Sequence, residues 1–162
     1  MRTILGLSLI AITLVAQPKL APASLAPVDQ AAFQKVLAAH RGKVTLASFW
    51  ATWCVPCRKE MPELLDLSQR LAARGFDLVL ISADEPAQEA AARKVLGDNG
   101  VTGLSYLLKT SDNDKFYPTV DSKWSSGALP ALFLYDRAGR KAQSFIGETS
   151  IKDLEAAITK LM

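Results

Sequence analysis

The chain has two cysteines, Cys54 and Cys57, separated only by Val55 and Pro56. They follow an apolar run that ends in Phe49-Trp50 and open a stretch with helical spacing. A thiol at the start of a helix faces backbone N–H groups without intrahelical partners and the positive end of the helix dipole. Both favour the thiolate. A second thiol one turn further on is close enough to attack a mixed disulfide formed by the first. The pattern points to thiol–disulfide exchange. Cys54, expected to be exposed at the N-cap edge, is the nucleophile. Cys57, expected to be the more buried of the two, resolves the mixed disulfide. Proline suits the first helical turn, so Val55-Pro56 stiffens the segment.

Other uses of two cysteines fit less well. A structural zinc site usually takes four Cys or His ligands, and the chain offers two cysteines and a distant His40. Attachment of a c-type haem requires His directly after the second Cys, where Arg58 stands. A purely structural disulfide over so short a loop would constrain the unfolded chain little.

The run Phe49-Trp50-Ala51-Thr52-Trp53-Cys54-Val55-Pro56-Cys57-Arg58-Lys59-Glu60-Met61-Pro62 resembles the active-site segment of the thioredoxin superfamily. It is most similar to its exported, TlpA/ResA-like thiol-disulfide oxidoreductases. The resemblance runs from about Gly42 to the C-terminus, with a second match at Gly127-Ala128-Leu129-Pro130 and the following Ala131 to Gly139. It implies that Leu129-Pro130 is a cis bond facing the cysteines, where Pro130 positions a substrate backbone. It also implies an Asp-x-x-Gly turn after the next strand, and Trp53 beside Cys54 on the docking surface. In this superfamily a His between the cysteines favours an oxidising potential. Val55-Pro56 resembles the reducing members instead, so a reductase is expected rather than an oxidase. Thioredoxin carries a buried Asp where Ser48 stands here, which puts the usual base in doubt. Glu60 matches an acidic position that TlpA/ResA-like proteins use near the cysteines. A plain dipole-facing surface role for Glu60 stays open.

Two further functions are weighed beside exchange. Exported thioredoxin folds can handle copper through two cysteines; Met61 is a nearby soft donor, but no suitable His accompanies it. A peroxidase would use Cys54 alone, with only Thr52 and Arg58 in support. The expectation is an exported protein disulfide reductase, monomeric, with no metal or organic cofactor. A membrane electron-transfer protein would re-reduce it.

The elements that must position the site follow from periodicity. Lys43–Trp50 and Phe76–Ser82 read as buried strands, and Ala131–Tyr135 with Lys141–Ile146 as a hairpin. Leu104–Leu108 is a weaker strand signal. Helical spacing covers Ala31–Leu37 behind Asp29, then Met61 to Ala72, Pro86 to Leu96 and Ile151 to Leu161 near Thr149-Ser150. Pro62 is expected to kink its helix. His40 falls at a helix end, and Trp50 in the core. This order implies an α/β three-layer sandwich, a central mixed sheet with helices on both faces, in agreement with a thioredoxin-like fold. Ser24–Gln30 reads as a loose lead-in. Lys109–Gly127 is a long polar connection; a substrate-facing role and a plain insertion both stay open.

With 162 residues, 49% of them hydrophobic and 22% charged, the chain suits one globular domain. Met1-Arg2, the apolar Ile4–Ala16 and the small residues of Ala21-Pro22-Ala23 read as a signal peptide over residues 1–23, ahead of a domain at 24–162. That places the protein in the periplasm, or on a membrane if the leader is retained. Losing the leader removes Arg2 and Lys19 and no acid, so the formal charge of +3 falls by two. Nothing in that balance favours nucleic acid.

Overall fold

The computed structural model describes residues 23–110 and 112–162. The leader expected over residues 1–23 lies outside them, except for Ala23. Among the described residues, no helix is long and apolar enough to cross a membrane.

The chain runs β1 (Ser24–Val28), α1 (Gln30–Ala39), β2 (Val44–Trp50), α2 (Val55–Leu71), β3 (Phe76–Ser82) and α3 (Glu89–Asp98). It continues through β4 (Leu104–Leu108), α4 (Asn113–Val120), β5 (Ala131–Tyr135), β6 (Lys141–Ile146) and α5 (Ile151–Thr159). One six-stranded sheet has the order β1-β4-β3-β2-β5-β6. Strands β1, β4, β3 and β2 are parallel, and β5 pairs antiparallel with both β2 and β6. The mixed sheet with helices on both faces is the sandwich expected from the element order.

The period-two geometry of β2 divides the core. Ala47 and Phe49 point into an aromatic layer with Phe33 of α1 and Phe116, Tyr117 and Val120 of α4. Leu46 and Trp50 point the other way, toward Met61, Leu64 and Leu67 of α2. The α2 face continues under α5 through Leu154 and Ile158, and under α3 through Ala92 and Leu96. Burial on both faces explains why β2 and β3 read as unbroken apolar runs.

Helix ends follow the sequence signals. Asp29, Asp112 and Ser150 each accept a first-turn backbone N–H at the start of α1, α4 and α5. Gly75, at φ 85°, ends the short turn after α2 in a left-handed conformation that glycine adopts without penalty. Helix α2 continues through Pro62, which costs it one i→i−4 hydrogen bond.

One expectation is corrected. The Ser24–Gln30 lead-in is not loose: Ser24–Val28 form an edge strand paired with Leu104–Leu108. Leu25 and Val28 are buried, Pro27 is tolerated because an edge strand has one unpaired side, and the Ala23 carbonyl accepts from Arg93. The long Lys109–Gly127 connection has structure of its own. It contains α4 and then Trp124, which is fully buried among Phe49, Tyr117 and Phe133 with ring centroids 4.6–5.1 Å away.

Candidate active site

Strand β2 lies inside the sheet, and its C-terminal end delivers the chain to the site. The Trp50 carbonyl still accepts from Ala83 N–H at 2.7 Å, after which Ala51–Cys54 form a turn closed by Cys54 N–H donating to Ala51 C=O at 3.1 Å. Cys54 is the N-cap of α2, Pro56 falls in the first turn, and Cys57 N–H donates to the Cys54 sulfur at 3.3 Å. Cys54 and Cys57 are joined in a disulfide with Cα atoms 5.4 Å apart. A helix-terminal N–H aimed at Cys54 sulfur is the donor a thiolate needs there.

The exposure expected of Cys54 is not found in this disulfide form, where it is only 4% exposed and Cys57 1%. Accessible apolar surface comes from its neighbours, Trp53 at 60% and Val55 at 51%. The reason is local: the turn folds the sulfur back onto the α2 N–H and presses it into a cluster with Trp50, Ala51, Met61 and Leu80.

Leu129 packs against that same cluster, and Leu129-Pro130 is a cis peptide bond. Two hydrogen bonds fix this loop. The Trp124 indole N–H donates to Ala128 C=O at 2.7 Å on the entry side. Gly147 N–H donates to Pro130 C=O at 2.8 Å on the exit side. The connection after β4 therefore ends by holding the segment that carries Pro130.

Glu60 lies one turn beyond Cys57 on α2 and is half-buried. Burial, and then the negative charges of Glu148 and Glu63, push its carboxyl up to about 7. Glu148 follows Gly147 directly, so the loop that holds Pro130 also brings charge to Glu60. Ser48 is buried in β2, whose alternation gives it the α2 face shared by Leu46 and Trp50.

The remaining candidates separate. His40 caps the far end of α1 and its Nδ1 lies 2.8 Å from Asp77, near the start of β2. The length of β2 puts it about 20 Å from the cysteines. Met61 is buried beneath the disulfide. Among the described residues no three His, Cys, Asp or Glu side chains gather into a metal-binding group.

Sequence reasoning missed Asp84. Its carboxylate accepts from Thr52 N–H at 2.9 and 3.1 Å, from the Thr52 hydroxyl at 2.6 Å and from the Ser82 hydroxyl at 2.8 Å. Register carried the signal. Trp50 pairs with Ser82, so in parallel strands Thr52 and Asp84, each two residues on, leave the sheet side by side on one face.

The Redoxin family model matches residues 18–158. The chain is 30% identical over 121 residues to the thiol-disulfide oxidoreductase ResA of Bacillus thuringiensis (strain Al Hakam), across 75% of this chain and 65% of that protein. It is 36% identical over 97 residues to the thiol:disulfide interchange protein DsbE homolog of Paracoccus denitrificans (strain Pd 1222), across 60% of this chain and 47% of that one. The chain thus spans less than two thirds of the length of either relative. A solved thiol:disulfide interchange protein, thioredoxin family protein, from Chlorobium tepidum TLS superposes with a TM-score of 0.64 at 22% identity, over 91% of this chain and 98% of that chain. That likeness establishes the thioredoxin-like fold.

Proposed function

The chain belongs to the Redoxin family, and from that premise we propose that it is an exported thiol-disulfide oxidoreductase working as a protein disulfide reductase. The observation that carries this reading is the Cys54–Cys57 pair at the N-terminus of α2, with a backbone N–H donated to the Cys54 sulfur.

In the reduced protein, Cys54 thiolate attacks one sulfur of a substrate disulfide. A Cys54–substrate bond forms, the substrate disulfide breaks, and one substrate thiolate leaves. Cys57 then gives up its proton and attacks the Cys54 sulfur, releasing the second substrate thiolate and closing the Cys54–Cys57 disulfide. Two electrons pass from the dithiol to the substrate, whose two thiolates take up protons. Glu60, with a proton affinity near neutrality, accepts the proton from Cys57. Trp53 and Val55 offer the substrate an apolar platform, and Leu129-Pro130 lines the other side of the approach.

Each turnover leaves a disulfide, so a dithiol donor must restore the pair. The apolar leader suggests a membrane protein for that role and the periplasm for the site of action. The test uses the Cys57→Ala variant, which can attack but cannot resolve. A stable mixed disulfide through Cys54, identified by mass spectrometry, together with insulin reduction by the unsubstituted protein, is the expected result. Absence of both the adduct and insulin reduction would refute the reading.

A further inference from the structure

Asp84 is the most deeply buried acid among the described residues, at 2% exposed. No Lys, Arg or His lies within ion-pair distance of it among those residues. Asp121, the other buried acid, has Lys141 at 2.6 Å. A buried carboxylate without a cation is costly, and here only hydrogen bonds offset that cost. Those bonds come from Ser82, the last residue of β3, and from Thr52, whose N–H and hydroxyl both donate. Asp84 N–H donates back to the Ser82 hydroxyl at 3.1 Å, closing a small network at the end of β3.

Thr52 lies in the turn that carries Trp53 and Cys54, so the network grips the attacking thiol two residues from its sulfur. A neutral acceptor would grip Thr52 at lower cost in desolvation. The charge therefore has an electrical consequence as well as a structural one. Two residues of chain span at most about 7 Å, which keeps the Asp84 carboxylate within about 10 Å of Cys54.

We propose that Asp84 is a positioning residue for the attacking thiol: it holds the Ala51–Cys54 turn through Thr52, and its unpaired charge beneath that turn disfavours the Cys54 thiolate. The helix N-terminus and Asp84 thus act on Cys54 with opposite sign. A thiolate that is not over-stabilised keeps the dithiol a good electron donor, since strong oxidants of this chemistry owe their potential to a stabilised reduced form. Asp84 in this way supplies buried negative charge from β3, whereas β2 carries an uncharged Ser48. The inference deepens the proposal that Cys54 attacks first. The other titratable and charged groups around the pair are Arg58, Lys59, Glu60 and Glu63 on α2, Asp98 with its partner Lys94 on α3, Glu85 beside Asp84, and Glu148 after β6; the variants below leave all of them in place.

The experiment measures iodoacetamide alkylation of Cys54 in the reduced full chain across pH, with peptide mapping to separate Cys54 from Cys57. One charge at about 10 Å in a medium of effective dielectric about 20 displaces a proton affinity by roughly one pH unit. Asp84→Asn should therefore lower the Cys54 midpoint by about one unit, so that alkylation below the midpoint is about tenfold faster. Thr52→Val keeps the charge and removes one donor that compensates it, so the midpoint should rise by a few tenths of a unit. Opposite signs are the mark of the electrical role, because loosening the turn would move both variants the same way. An unchanged or raised midpoint in Asp84→Asn, or shifts of one sign in both variants, overturns the proposal. If Asp84→Asn fails to fold, Ser82→Ala decides, because it removes a donor to the Asp84 carboxylate without touching the turn: a raised midpoint supports the proposal and any other result overturns it. Loss of insulin reduction in the unsubstituted protein would refute the reductase reading, while the alkylation midpoint would still report on Asp84.

Discussion

Replacing Glu60 by Gln keeps the shape of the side chain and removes its ionisation. In the unsubstituted protein burial and the charges of Glu148 and Glu63 raise the Glu60 carboxyl to about 7. Two consequences follow, with separate assays. The first is kinetic. If Glu60 takes the proton from Cys57, the resolving step should quicken as Glu60 ionises around neutrality. General-base help of this kind contributes about 10²–10⁴-fold, and a base only half ionised near neutrality points to the lower end of that range, about 10²-fold at pH 7. Single-turnover decay of a preformed mixed disulfide, followed by quenched mass spectrometry from about pH 5 to 9, reads it directly. In Glu60→Gln the decay should slow and lose its inflection near 7, while Cys54 still attacks and forms the mixed disulfide. The second consequence is thermodynamic. A carboxyl whose folded proton affinity is raised above the unfolded value of about 4.3 stabilises the fold fully only below that value. Its contribution is lost as pH rises through about 7. Discounted for partial exposure, the loss is about 1–2 kcal/mol. Glu60→Gln should remove that slope and be the more stable protein above neutrality. Superimposable decay profiles for the two proteins would reduce Glu60 to an acid that merely faces the helix dipole.

Three further outcomes are expected. A Cβ on Gly127, at φ +64°, would stand 2.3 Å from a ring carbon of the buried Tyr117, whereas one on Gly100, at φ +71°, meets nothing within 4 Å. By denaturant unfolding, Gly127→Ala should cost about 2–5 kcal/mol and Gly100→Ala about 1–2 kcal/mol, and equal costs would refute the Tyr117 contact. Hydrogen bonds from Lys141 and Ser144 hold Asp121 down to about 2. Its stabilisation is present above the unfolded value of about 3.9 and fades as pH falls toward 2, so Asp121→Asn should lose about 1–2 kcal/mol at neutral pH and flatten the acid limb of a urea titration. Equilibration against glutathione should place the Cys54–Cys57 couple nearer to about −270 than to about −120 mV, and a value at the oxidising end would end the reductase assignment.

The sequence disclosed those parts of the structure that depend on local spacing. Strands β2 and β3 are buried on both faces and read as apolar runs; the capped helices α1 and α5 announce themselves through Asp29 and Ser150. Strand β1 was hidden because five residues with a proline carry little alternation, and its order comes from pairing with residues about 80 positions later. Helix α4 was hidden by Pro118 and a polar first turn, although Phe116, Tyr117 and Val120 fall on one face. Cys54, Cys57, Glu60 and Pro130 could be named because they lie in short recognisable runs. Asp84 could not, since its meaning depends on a neighbour 32 residues away. Residues that act across strands become visible only when register is known.

Support for the site therefore comes from outside the motif. The turn before Cys54 is held by Asp84 at the end of β3, the entry to Pro130 by Trp124 after α4, and its exit by Gly147 after β6. These anchors lie in different connections, and each ends on backbone within or next to the segments around the disulfide. Geometry fixed this way belongs to the scaffold rather than to the Cys-x-x-Cys loop, so a loop transplanted without its anchors would keep the cysteines and lose the approach to them. Trp53 and Val55 are the exception: they are highly exposed, Trp53 in the turn and Val55 at the start of α2. Variation in substrate preference should accordingly be sought at Trp53 and Val55, and variation in thiol reactivity at the anchors. Substitutions at the first pair should change KM with little effect on the alkylation profile of Cys54, and a shift of that profile by Trp53→Ala would contradict this division.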